Sequence, residues 1–264
     1  MSNSAPQTIP LPSLGRRLGS VWWRHVRVYS SSLVSNAIPP FMEPLIFLAG
    51  IGLGLGKYIV SMDGLPYIQF LAVGLVLTSA MYTASFENTF GTFIRLEFDK
   101  VYDGMQAASL TAADLMWGEL LFTATKGAFF AGAVLTILSL FGLVTTPWML
   151  VGIPLGFLTA GMFGALAMLV TSFVSNINHF NFYFTLFISP LFFFSGVVFP
   201  LSQLPEGLRW VAGLMPLTHP IELMRLASGG HTLFGPLVNL GYILIFGAGV
   251  GTLAVKRMRR RLVS

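Results

Sequence analysis

The chain alternates long apolar stretches with short polar ones. Six stretches approach or exceed the length of about 20 residues that a helix needs to cross a bilayer. They lie at about Leu33–Gly56, Tyr67–Phe90, Thr111–Leu143, Pro147–Val174, Phe182–Phe199 and Leu237–Val255. Within lipid the backbone has no water to bond, so each stretch is expected to be a helix. The pattern predicts an all-α membrane protein with six transmembrane helices.

Two other regions predict helices that do not cross the membrane. Leu14–Ser31 mixes four arginines with aromatic residues, which is typical of an amphipathic helix lying in the interface. Pro200–Pro236 contains five prolines, and its apolar runs Leu208–Leu214 and Ile221–Ala227 are too short to span. These runs predict short re-entrant or surface helices before the sixth span. Glu222 and Arg225 are three residues apart and are expected to pair.

The pattern divides the chain into three parts. Residues 1–32 form a polar N-terminus with the interfacial helix, residues 33–255 the transmembrane domain, and residues 256–264 a basic tail. Only 9% of the residues are charged, against about 25% in soluble domains. This low charge supports a multi-pass membrane protein.

The positions of lysine and arginine predict the orientation of the spans. With six spans, both termini and the polar segment after the second span lie on one side. That side carries Arg16, Arg17, Arg24, Arg27, Arg95, Lys100, Lys256, Arg257, Arg259, Arg260 and Arg261. The opposite side carries only Lys57, Arg209 and Arg225. Both termini are therefore expected in the cytoplasm. Because the basic residues flank spans, the net charge of +5 does not indicate a nucleic-acid partner.

The segment Arg95–Asp114 is the most densely charged part of the chain away from its ends. It is acidic on balance, whereas cytoplasmic segments are usually basic. This reversal favours a docking surface for a partner protein. Thr111 and Asp114 have the spacing of a capping box, which predicts that the third helix begins there.

No motif for catalysis or nucleotide binding is evident. Gly52–Tyr58 resembles a phosphate-binding loop, but Ile51 and Tyr58 stand where that motif requires Gly and Ser or Thr. The four histidines have no metal-ligand spacing, and the chain has no cysteine. We expect no enzyme activity, no metal and no cofactor in this chain.

Charged and aromatic residues within the spans are candidates for a substrate path. A charge inside a membrane costs about 2.5–3.5 kcal/mol on insertion scales. Glu43 and Lys126 fall at similar depth, and could pair or line a polar cavity; Glu87 lies near the cytoplasmic end of the second span. The aromatic fifth span suits an amphiphile, although contact with lipid also explains it. Its candidate residues are Phe187, Phe192 and Phe193.

Three segments resemble ABC-2 type permeases. Phe86–Glu119 is similar to the cytoplasmic segment between the second and third spans of that family, Asn176–Pro205 to its fifth span, and Leu214–Arg225 to its extracytoplasmic segment. The nearest subgroup is that of the nodulation-factor, or lipo-oligosaccharide, exporters. The resemblance implies a permease in a bacterial cytoplasmic membrane. It also implies a second copy of the chain and two copies of a separate ATPase, which would bind ATP and Mg.

The resemblance also implies a coupling helix that rests on the ATPase. Its residues would be Tyr102, Asp103, Gly104, Met105, Ala108 and Leu110. Ser109 departs from the family, which often has proline there. The alternative is a proton-coupled secondary transporter that uses Glu43, Glu87 and Lys126 as relay groups.

Overall fold

The computed structural model describes residues 12–31, 38, 42, 44–59, 61–108 and 110–263. Most of them are helical. A short hairpin of two strands with two residues each, β1 (Ser61–Met62) and β2 (Leu65–Pro66), precedes the second predicted span. The helices are α1 (Leu14–Ser30), α2 (Pro44–Leu53), α3 (Tyr67–Phe98), α4 (Val101–Gln106), α5 (Ala112–Leu140), α6 (Pro147–Thr171), α7 (Ile177–Phe194), α8 (Glu206–Leu214), α9 (Thr218–Ala227) and α10 (Pro236–Val263).

Within the described residues, five helices are long and apolar enough to cross a membrane: α3, α5, α6, α7 and α10. They confirm an all-α membrane protein. Of the predicted first span, the described part includes the short apolar helix α2, and Glu43 lies outside the described residues. A sixth span therefore stays a prediction.

Helix α3 forms the centre of the bundle and packs against α5 and α6. Its residues are buried on nearly every side from Phe70 to Ala84. α5 and α6 lie in very close contact, because a Cβ added at Gly127 would stand 2.1 Å from the Ala160 Cβ. Small residues permit such an approach of two membrane helices.

The second predicted helix ends later than the sequence predicted. α3 continues beyond Phe90 through two π-helical stretches, Glu87–Gly91 and Ile94–Phe98. Arg95 is thus a residue of this helix, and the prediction that the helix ends before Arg95, at about Phe90, is wrong. The reason is that its side chain turns inward to buried carboxylates. The helix ends near Lys100, which has a left-handed φ of 49°.

Two predictions of local structure are confirmed beyond α3. Thr111 caps α5: its side-chain oxygen accepts a hydrogen bond from the Asp114 N–H at 3.2 Å, and the Asp114 carboxylate accepts one from the Thr111 N–H at 3.0 Å. The two short helices expected before the last span are α8 and α9. The basic residues at the C-terminus continue α10, which remains helical to Val263.

The predicted pair between Glu222 and Arg225 is wrong. The Glu222 carboxylate accepts two backbone N–H groups of the following loop, at 2.8 and 3.0 Å, and the Asn239 amide at 3.0 Å. Arg225 instead donates to the Gly196 carbonyl, and its guanidinium lies 3.4 Å from the centre of the Phe70 ring. Nearby donors on the loop satisfy Glu222 without the arginine.

Candidate functional site

Four charged side chains form a buried network between α3 and α5. The Glu87 carboxylate accepts hydrogen bonds from Arg95 Nη1 at 2.8 Å and from Lys126 Nζ at 2.7 Å. Arg95 also donates to Glu119. None of the four side chains is more than 17% exposed. Two carboxylates and two cations leave the network neutral, which lowers the cost of burying them.

Tyr102 connects helix α4 to this network. Its hydroxyl donates to the Glu119 carboxylate, which also accepts a bond from Thr92 Oγ1 at 2.8 Å. Burial, together with the Glu119 charge, raises the pKa of Tyr102 well above its usual range. The hydroxyl therefore stays protonated and remains a donor. The side chain is 1% exposed, so it anchors α4 to the membrane helices.

The helix geometry explains why these residues meet. Glu119 and Lys126 are seven residues apart on α5, which places them on one face two turns apart. Glu87 and Arg95 are eight residues apart on α3, in or beside its two π-helical stretches. Stretches of this kind are frequent at functional sites because they re-aim side chains.

Helix α1 covers the end of the network. Lys126 Nζ lies 4.4 Å from the centre of the Tyr29 ring, a cation–π contact. His25 stacks on Phe122 with 5.2 Å between ring centres. Burial lowers the pKa of His25 to about 4, and the nearby Arg95 lowers it as well. His25 is therefore neutral at pH 7.

An apolar cluster lies next to the network and beneath α4. It joins side chains from the helices that meet there, among them Val21 of α1, Tyr102 of α4, Met168 of α6 and Met258 of α10. Helix α4 thus rests on the junction of several membrane helices. A displacement of α4 would act on that junction.

The other residues proposed for ATPase contact lie nearer the surface. Asp103, Gly104 and Ala108 are exposed, and Met105 and Leu110 are half-buried. Ser109 lies outside the described residues. Tyr102 differs from this set because its side chain points into the protein.

The substrate-path candidates that the structure describes fall into two groups, the charged residues on α3 and α5 and the phenylalanines on α7, while Glu43 lies outside the described residues. Glu87 and Lys126 bind each other. Phe187 and Phe193 are 37% and 46% exposed, whereas Phe192 is 7% exposed and lies edge-on to Phe47 at 5.0 Å. Phe192 also lies edge-on to Phe193 at 5.2 Å, so this contact joins a buried ring to a partly exposed one.

The sequence analysis did not predict that the Arg95 side chain points into the protein and binds Glu87 and Glu119. A signal was present: acidic and basic residues recur seven and eight residues apart on two consecutive helices, at Glu87 and Arg95 and at Glu119 and Lys126. Opposite charges two turns apart on neighbouring membrane helices predict a shared buried network.

The sequence model of the ABC-2 type transporter family matches residues 16–227 of this chain. The chain belongs to the ABC-2 type transporter family. This ABC-2 protein is similar to Nodulation protein J of Sinorhizobium fredii (strain NBRC 101917 / NGR234), with 35% identity over 245 residues that cover 93% of the chain and 94% of that protein. Membership indicates a membrane permease subunit of a transporter.

Two further relatives are also similar to this chain over most of its length. Nodulation protein J of Rhizobium meliloti (strain 1021) is 32% identical over 253 residues, covering 96% of this chain and 97% of that protein. The inner membrane transport permease YadH of Escherichia coli (strain K12) is 23% identical over 231 residues, covering 87% and 89%. The similarity to all three extends over most of the ABC-2 chain.

Proposed function

We propose that this chain is the membrane permease subunit of an ATP-driven exporter in a bacterial cytoplasmic membrane. ATP and Mg would be bound by a separate ATPase subunit, present in two copies and docked on a dimer of this chain. Six spans would place both termini in the cytoplasm, beside α4. Alternating access of the dimer would release the substrate on the outer side.

The observation that carries the proposal is the attachment of α4 to the buried network through Tyr102. This helix exposes Asp103 and Gly104 while its Tyr102 is fixed to Glu119. An exposed element joined to a buried network suits a part that receives force from a partner. ATP-driven closure of the ATPases would push α4, and the network would pass the displacement to α3 and α5.

The substrate class we propose is amphiphilic: a glycolipid, a lipo-oligosaccharide or a hydrophobic drug. Support comes from the relatives named Nodulation protein J, and from the resemblance to lipo-oligosaccharide exporters. The partly exposed Phe187 and Phe193 provide apolar surface on α7. Membrane lipids would surround the dimer.

The test is to express the chain with a candidate ATPase, purify the complex and reconstitute it in liposomes. We expect ATP hydrolysis that depends on the permease and rises with a lipid-linked saccharide or a hydrophobic drug. Transport that needs a proton gradient but no ATP would contradict the proposal and support a secondary transporter that uses Glu43, Glu87 and Lys126. The described geometry gives that alternative little support, because cations occupy both Glu87 carboxylate oxygens.

A further inference from the structure

Arg261, near the end of α10, connects three separate parts of the protein. Its Nη1 donates to the backbone carbonyls of Thr171 and Val174, the latter at 2.8 Å. Its Nη2 lies 2.8 Å from the Glu97 carboxylate. One turn earlier, the Arg257 guanidinium lies 4.2 Å from the centre of the Phe173 ring. The basic end of the chain is thus attached to the ends of α6 and α3.

A second ion pair lies on the other flank of α4. Arg17 of α1 is 2.6 Å from the carboxylate of Asp114, the residue that completes the capping box with Thr111 at the start of α5. The same oxygen accepts the Thr111 N–H at 3.0 Å. The segment that contains α4 therefore has one ion pair before it, at Glu97, and one after it, at Asp114. A helix from each end of the chain supplies the arginine.

Apolar side chains join the helices that carry the two ion pairs. Val21 of α1 and Met258 of α10 are in the same apolar cluster as Tyr102. Tyr102 and Met258 are almost fully buried. Because close-packed side chains resist compression, a group held at both flanks and packed in the middle moves as one unit.

We propose that the terminal helices α1 and α10 brace the α4 segment, and that Arg261 is the positioning residue that makes α10 and the end of α6 move with it. The inference rests on the proposed function, in which an ATPase pushes α4. Among the described residues, the buried network joins α3 and α5 and is contacted by Tyr29 of α1 and Tyr102 of α4. Arg261 extends the connection to the remaining helices of the junction.

The test compares Arg261→Gln with a matched control, Arg260→Gln. Arg260 is exposed on the same helical turn, so the control loses the same charge without these contacts. The chain has no cysteine, which allows a spin label at each of two introduced cysteines, Ala107→Cys and Arg259→Cys. Both positions are exposed. Dilution with unlabelled chain ensures that one labelled copy is present in each complex.

The measurement is the distance between the two labels, without nucleotide and after trapping with ATP and vanadate. We expect one narrow distribution in both states for the parent and for Arg260→Gln. In Arg261→Gln the distribution should broaden in both states and shift on trapping. Permease-dependent ATP hydrolysis should fall by about three- to tenfold, within the range of about 2- to 30-fold by which single mutations change coupling.

Equal label distributions in Arg261→Gln and Arg260→Gln would overturn the brace. If Arg261→Gln fails to assemble, Glu97→Gln replaces it in the test. This variant removes the ion pair but keeps the contacts of Arg261 with the two carbonyls. Label distributions in Glu97→Gln like those of Arg260→Gln would also overturn the brace. Failure of the proposed function gives a different result. Trapping would then change nothing in any variant, while the nucleotide-free distributions still test the brace.

Discussion

The hydroxyl of Tyr102 on α4 donates a hydrogen bond to the carboxylate of Glu119 on α5. Glu119 also binds Arg95, and Arg95 binds Glu87, so this one contact joins an exposed segment to four buried charges. The described geometry contains a continuous path of polar contacts from α4 to Lys126. Each step of this path can be removed separately.

Tyr102→Phe keeps the buried ring and removes only the donor. We expect the free energy of unfolding to fall by about 1–3 kcal/mol, because the Glu119 carboxylate loses a buried partner. Permease-dependent ATP hydrolysis should fall about fivefold. The measurements are thermal unfolding in detergent and ATPase assays of the complex.

The control for this change is Tyr58→Phe, since Tyr58 is exposed. A Tyr102→Phe complex with the stability and ATPase rate of this control would show that the hydroxyl contact has no part in coupling.

Glu119→Gln leaves Arg95 with one carboxylate instead of two. Breaking a buried ion pair on one side costs about 3–5 kcal/mol. We expect a loss of that size in the free energy of unfolding, measured by denaturation in detergent, and no such loss for Glu206→Gln, which alters an exposed carboxylate on α8.

A second variant separates charge from packing. Arg95→Met combined with Glu119→Leu removes both buried charges, and part of the stability should return. No recovery in the double variant would mean that the network is not held by charge balance.

Asp103→Lys places a positive charge on the exposed face of α4. If this face meets an ATPase, hydrolysis in the complex should fall about fivefold or more, with the same amount of chain in the membrane. Glu206→Lys makes the same exchange on α8 and should have no effect. Unchanged ATPase activity and transport in Asp103→Lys would remove α4 from the interface.

His25 predicts a pH dependence of stability. Its pKa is lowered from 6.5 to about 4, first by burial, so the unfolded chain binds a proton at a pH where the folded chain does not. Stability is therefore complete above about pH 6.5 and falls as the pH drops to about 4. The loss from this group is about 3 kcal/mol.

The check is the free energy of unfolding of the parent and of His25→Gln between pH 7 and pH 4. The variant should show a smaller decline. His179→Gln, at an exposed position, should decline as the parent does. Equal slopes in His25→Gln and the parent would contradict a buried neutral histidine.

Local sequence determined much of this protein. Apolar length predicted the helices from Tyr67 onward, and the Thr111–Asp114 spacing predicted the start of α5. Prolines predicted the two short helices before α10. These features depend on neighbours within a few residues, so the pattern along the chain records them.

Only the tertiary structure decided the partners of the charged residues. Lys126 binds Glu87, Glu222 binds a loop and Asn239, and Arg261 binds Glu97, which is 164 positions away in sequence. The sequence predicts that a charge inside a membrane protein needs a partner. Which partner it finds depends on how the helices pack, and close packing is a property of the whole bundle.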